Sequence, residues 1–198
     1  QITGLLPFTD RPFATIGNDW AFPHTLLSPE LMKSYQSIAQ AVGKKLASQG
    51  WRGLFGIDVV LDEKQQKLYL IEINARQPAS TTFESTLQQK SPQFQIPNSK
   101  FLTTFESHLA GLLNLPYDGQ EVIPLTDGAQ IIQRVREDHI APLESATTSL
   151  TTAGFTVTPY TNTKPGEDLL RIQSPRGLMN EHNALNEVGK LIAEKLSL

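Results

Sequence analysis

Apolar positions in this chain follow two periods, and the switch between them locates the first clear elements. Leu31, Tyr35, Ile38, Val42 and Leu46 recur at steps of four, three, four and four, which makes one stripe along a helix. Ser28 supplies an N-cap, Pro29 sits where a missing N–H costs nothing, and Gly50 supplies the C-terminal stop. The period then shortens. Gly53–Asp62 and Lys67–Asn74 are β-rich, and the polar run Glu63–Gln66 between them predicts a hairpin. Upstream, Gln1–Phe22 holds apolar pieces broken by Pro7, Pro12, Gly17 and Pro23, which predicts short strands or a loose hairpin.

Downstream the pattern is patchier. Gln77–Asn98 is rich in Pro, Ser, Thr and Gln; it predicts a helical stretch over Thr82–Gln89 and a surface loop over Ser91–Lys100. A helical period returns over Phe101–Leu115 through Leu102, Phe105, Leu109 and Leu112. Ala129–Val135 reads as a strand, Phe155–Pro159 and Leu169–Ile172 as an antiparallel pair. Asn183–Leu196 reads as a terminal helix with Leu185, Val188, Ile192 and Leu196 on one face. The expected fold class is α+β, an antiparallel sheet packed on helices. The expected division is a lobe over 1–118 and a small α/β module over 119–198.

Composition changes this picture little. The chain has 198 residues, 39% hydrophobic and 19% charged, and is long enough to bury a core. A net charge of −3 makes no basic field, so neither nucleic acid nor an anionic membrane is an implied partner. With no cysteine, disulfides, thiolate zinc sites and a cysteine nucleophile are excluded; a cytoplasmic location is the expectation. No apolar run nears the roughly 20 residues that span a bilayer. Gln1 is not an initiator methionine, and the chain is expected to be a fragment of a longer protein. Its oligomeric state is not legible.

The hairpin carries the chemistry. Side chains alternate faces along a strand, so Ile57, Val59 and Leu61 oppose Asp58 and Val60. On the second strand, Ile71 and Ile73 oppose Leu70, Glu72 and Asn74. Matching the apolar faces sets Asp58 opposite Glu72, with Asn74 one step along on the same side; a one-residue slip would bury the carboxylates. Two carboxylates and an amide oxygen converge, with Arg76 just beyond. Magnesium favours one or two carboxylates plus phosphates and water, and adjacent carboxylates that repel each other invite a cation. Arg76 has the fork to hold a phosphate. A solvated polar face with local salt bridges is the other use of the same residues.

Gly53–Arg76 closely resembles the final strands of the ATP-grasp fold: an acidic residue in a G-[I/T]-[D/E] strand, a hairpin, then an apolar-E-[I/M/V]-N-x-R strand. The exit Trp51-Arg52-Gly53 from the preceding helix fits as well. The resemblance implies Asp58, Glu72 and Asn74 as ligands of Mg²⁺ (or Mn²⁺), Val60 beneath the adenine of ATP, and Arg76 beside the transferred phosphate. It implies an ATP-dependent ligase that activates a carboxylate as an acyl phosphate for attack by an amine, both small molecules. A bicarbonate-phosphorylating relative of the biotin-carboxylase and carbamoyl-phosphate type stays open, as does a non-catalytic nucleotide- or metal-binding module. The family's phosphate-clamping lysines, glycine-rich loop and adenine hinge lie upstream of this segment, so half an active site is expected, inactive alone. Ser80, Thr81 and Thr82 could contact a substrate carboxylate or acyl phosphate, or serve as a helix N-cap and loop hydroxyls. Gly17-Asn18-Asp19 reads as a turn, and His24, His108, His139 and His182 lack metal-ligand spacing. No serine-hydrolase, zincin or P-loop motif occurs.

Overall fold

The structure, a computed structural model, describes residues 2–3, 8–9, 11, 14–96, 100–116, 119–136, 143–181 and 184–196. His139, His182, Asn183, Pro7 and Pro12 lie outside them. The elements run β1 (Ile2–Thr3), β2 (Thr15–Asp19), α1 (Phe22–Leu26), α2 (Pro29–Ser48), β3 (Gly56–Asp62), β4 (Lys67–Asn74), α3 (Thr81–Gln89), β5 (Phe101–Leu102) and α4 (Thr104–Leu112). They continue with β6 (Glu121–Val122), β7 (Ala129–Arg134), α5 (Leu143–Thr152), β8 (Thr156–Pro159), β9 (Asp168–Ser174), β10 (Met179–Glu181), β11 (Ala184–Leu185) and α6 (Glu187–Lys195). No described helix is long and apolar enough to cross a membrane.

The chain divides into two units, Gln1–Leu26 with Leu125–Leu198, and Leu27–Pro124. This differs from the expected boundary after residue 118. The reason is strand pairing: β2 lies antiparallel to β7, with Gly17 opposite Ile131, so the N-terminal segment joins the C-terminal one.

The first unit is built on a five-stranded sheet ordered β1-β2-β7-β9-β8. The expected Phe155–Pro159 and Leu169–Ile172 pair is its β8–β9 edge, antiparallel with Val157 opposite Ile172. Ile131, Leu150, Leu170, Ile172, Leu178 and Ile192 fill its core, each no more than 1% exposed. The expected turn at Gly17–Asp19 is strand instead. Asp19 is buried, and its carboxylate accepts the N–H groups of Ala21 and Phe22 at 2.9 Å, Leu178 at 2.6 Å and Met179 at 3.0 Å. It thereby caps α1 and ties it to β10. The terminal helix starts later than its apolar spacing suggested. Ala184–Leu185 is strand, and the Asn186 side chain caps α6 by accepting from Val188 and Gly189.

In the second unit α2 forms as its spacing predicts. Ser28 accepts from Leu31 N at 3.3 Å, and the helix closes on a Schellman pair, Gly50 N to Ala47 O and Trp51 N to Leu46 O, both 3.0 Å. Gly50 takes the left-handed conformation this needs, at φ 85°. α2 packs on β4, and Gly43 leaves room for the Phe55 ring. The expected helix over Phe101–Leu115 is shorter, because Thr103 and Glu106 form a capping box and Phe101–Leu102 pairs in parallel with Glu121–Val122. Its apolar stripe is also not a core face: Phe105, Leu109 and Leu112 are 40–53% exposed, while His108 and Ala110 are buried.

Candidate functional site

β3 and β4 form a two-stranded antiparallel sheet, joined through the turn Glu63–Gln66. Asp62 Oδ1 accepts from Gln65 N at 3.0 Å, and Gln66 takes φ 51°. Asp58 stands directly opposite Glu72, and Gly56 opposite Asn74, as the sequence register requires. Directly opposed residues hold their Cβ atoms about 4.5–5.5 Å apart, so the two carboxylates share one patch of surface. Asp58 and Asn74 are half-buried; Glu72 is exposed.

Next to this pair the register slips, because Val59 faces Leu70 and Ile71 is left as an extra residue. The bulge reconciles two demands. The turn closes on the Asp62–Lys67 pair, which fixes one register, while the acidic face needs the neighbouring one. The consequence is a change of face. Leu70 joins Ile57, Val59 and Ile73, instead of sharing the Glu72 side as strict alternation implied. Tyr69, opposite Val60, takes its place on the acidic side. Val60 is 49% exposed, an apolar surface beside Asp58 open to a ligand. Arg76 is exposed, past a tight turn in which Arg76 N donates to Asn74 O at 2.8 Å.

Two further residues converge here that the sequence reading left unassigned. Tyr35 of α2 has a pKa raised above 10.0, through burial first and then the negative charges of Asp58 and Glu84. Glu84 of α3 accepts from Ser80 Oγ at 2.8 Å. The signal for Tyr35 was a hydroxyl inside an otherwise aliphatic stripe, and for Glu84 its spacing one helical turn after Ser80. Ser80 and Thr81, the expected substrate contacts, are 7% and 0% exposed, and the Ser80 hydroxyl donates to Glu84. Ser80 occupies the N-cap position of α3 without capping it.

Among the described residues neither Asp58 nor Glu72 has a cationic side chain within salt-bridge distance, so the alternative of local salt bridges is not taken up. No group of three His, Asp or Glu side chains is close enough to hold a metal among the described residues. Two carboxylates with an amide oxygen fit an ion that completes its shell with phosphate and water. His108 is structural: Leu54 N donates to its Nδ1 at 3.0 Å, fixing the turn before β3 to α4. His24 faces the Leu125 carbonyl at 3.2 Å.

Residues 13–80 match the ATP-grasp domain family, a stretch that contains the whole hairpin. N5-carboxyaminoimidazole synthetase from Staphylococcus aureus, complexed with ADP, is similar with a TM-score of 0.53 at 14% identity, over 95% of this chain and 42% of that one. N5-carboxyaminoimidazole synthase from Aspergillus clavatus, in complex with ADP and 5-aminoimidazole ribonucleotide, gives 0.46 at 20% identity, over 73% of this chain and 34% of that one. The phosphoribosylaminoimidazole carboxylase ATPase subunit from Aquifex aeolicus gives 0.45 at 11% identity, over 80% and 41%. The Staphylococcus likeness shows a shared fold; the other two scores are too low to add to it. The chain spans less than half the length of each. No curated protein sequence matches it significantly.

Proposed function

We propose that this chain, ATP-grasp in its fold and in residues 13–80, supplies the metal-binding end of the ATP site in a ligase that activates a carboxylate as an acyl phosphate. One observation carries the reading: Asp58 and Glu72 are directly opposed on a hairpin, with no cation beside either among the described residues. Asp58, Glu72 and Asn74 would hold Mg²⁺ or Mn²⁺, which supplies charge neutralisation at the phosphates of ATP. The bulge at Ile71 keeps Glu72 on the Asp58 side while letting the turn close. Val60 and Tyr69 offer the apolar surface for the base. Arg76 would stabilise the transferred phosphoryl group and the acyl phosphate, through its bidentate fork. Because all three ligands sit on paired strands, positioning is the main contribution of this end of the site. An amine, or a similar small nucleophile, would then displace phosphate. Ser80 enters as a support of Glu84, to which its hydroxyl donates, and not as a substrate contact.

The test is calorimetric titration of the full chain with MnCl₂ and ATP, in wild type, Asp58→Asn and Glu72→Gln. Each substitution should weaken metal-dependent binding at least about tenfold, the scale on which even outer-shell partners alter metal affinity. Identical binding in all three proteins would remove the hairpin from the metal site.

A further inference from the structure

The first unit contains a cleft of about 690 Å³ lined by Arg11, Arg134 and Arg136, with Phe8, Ile16 and Ile132 among its apolar walls. We infer that this cleft binds the phosphoryl group of a phosphorylated small molecule, at a site separate in its residues from the hairpin. Its volume lies in the range of ligand pockets. The sequence builds it through a two-residue period. Ile132, Arg134 and Arg136 alternate with the buried Ile131, Gln133 and Val135, so both arginines and an apolar floor come to one face as β7 ends.

The surrounding backbone is held firmly. Gly166 N donates to Val135 O at 2.9 Å, and Val135 N to Glu167 O at 2.8 Å, clamping the turn before β9 to the end of β7. Arg134 Nη1 donates to Gly166 O at 3.3 Å, which orients one edge of its guanidinium and leaves further N–H donors. Gly166 takes φ 87°, a conformation that suits glycine in this turn. Arg136 is half-buried and Arg11 exposed at the rim. Neither Arg11 nor Arg134 has a carboxylate within salt-bridge distance among the described residues. Arg11 and Arg134 bring positive charge to one cleft in a chain whose net charge is −3. Guanidinium forks match phosphate geometry, and the apolar walls accommodate an organic body attached to it.

The probes are inorganic phosphate and pyrophosphate, titrated calorimetrically into the full chain at low and high salt. Wild type should bind saturably, pyrophosphate more tightly than phosphate, and both more weakly as salt rises. The double variant Arg134→Gln/Arg136→Gln should lose at least tenfold in affinity. Arg11→Gln, at an exposed position where folding is not at risk, should lose several-fold. Thermal melts report whether each variant is folded. Asp58→Asn should bind both probes like wild type, which separates this cleft from the proposed metal site. Absence of saturable binding in wild type would overturn the inference. So would Arg11→Gln and a folded double variant that both bind as wild type does, or a loss of binding in Asp58→Asn.

Discussion

Two antiparallel sheets in this chain are built from similar residues and are used differently. The sheet of the first unit buries Ile131 and Ile172 completely, each 0% exposed. The hairpin of the second unit leaves Val60, Ile71 and Ile73 at 49%, 65% and 46% exposure. The first is a core; the second is held by its turn, its bulge and α2, and keeps its acidic side accessible. Burial is thus concentrated in one sheet and an exposed acidic face in the other. The sharpest way to break that contrast is one residue type in both. Ile172→Ala should cost about 2–5 kcal/mol, through lost burial and a cavity. Ile71→Thr should stay within about 0.5 kcal/mol, since the bulged side chain buries little. Urea denaturation of the two variants checks this, and comparable losses would erase the distinction.

The two aspartates extend the contrast at a smaller scale. Asp19 is a satisfied carboxylate, with four backbone N–H groups aimed at it. Asn at that position turns an NH₂ toward buried donors, and should cost of the order of 3 kcal/mol. Asp58 faces another carboxylate instead. Asp58→Asn removes a like-charge contact, so stability should hold or rise slightly while metal binding falls. The same denaturation experiment reads both. A large stability loss from Asp58→Asn would mean that this carboxylate is structural after all.

Legibility followed how local the signal was. The helix over 29–48 was readable because cap, stripe and C-terminal glycine agree within one segment. The Asp58–Glu72 pairing was readable because apolar alternation fixes register. The bulge was not, since it resolves a conflict between the turn closing on Asp62–Lys67 and faces several residues away. The later start of α4 was written in Thr103-x-x-Glu106, a capping box that the apolar period overrode. The joining of β2 to β7 depends on pairing across more than a hundred residues, and no local pattern encodes it. Burial of Ser80 and Thr81 likewise reflects packing around α3, invisible in a run of hydroxyls.

The smallest effect expected is also the most specific to the acidic site. Tyr35 has its pKa raised above 10.0 by burial first, then by Asp58 and Glu84. Its neutral form is the one the folded state favours. The associated stability is fully present below the ordinary tyrosine value and is lost as pH rises through the raised folded value. Tyrosinate absorbance, taken as the difference between wild type and Tyr35→Phe, follows this one hydroxyl. Asp58→Asn should move its titration down only part of the way toward 10.0, because burial is the larger cause and remains. A divalent ion bound at Asp58 should act in the same direction by neutralising that carboxylate, and should do nothing in Asp58→Asn. An unchanged Tyr35 titration in that variant would show that the hydroxyl does not sense Asp58, and would detach α2 from the acidic side of the hairpin.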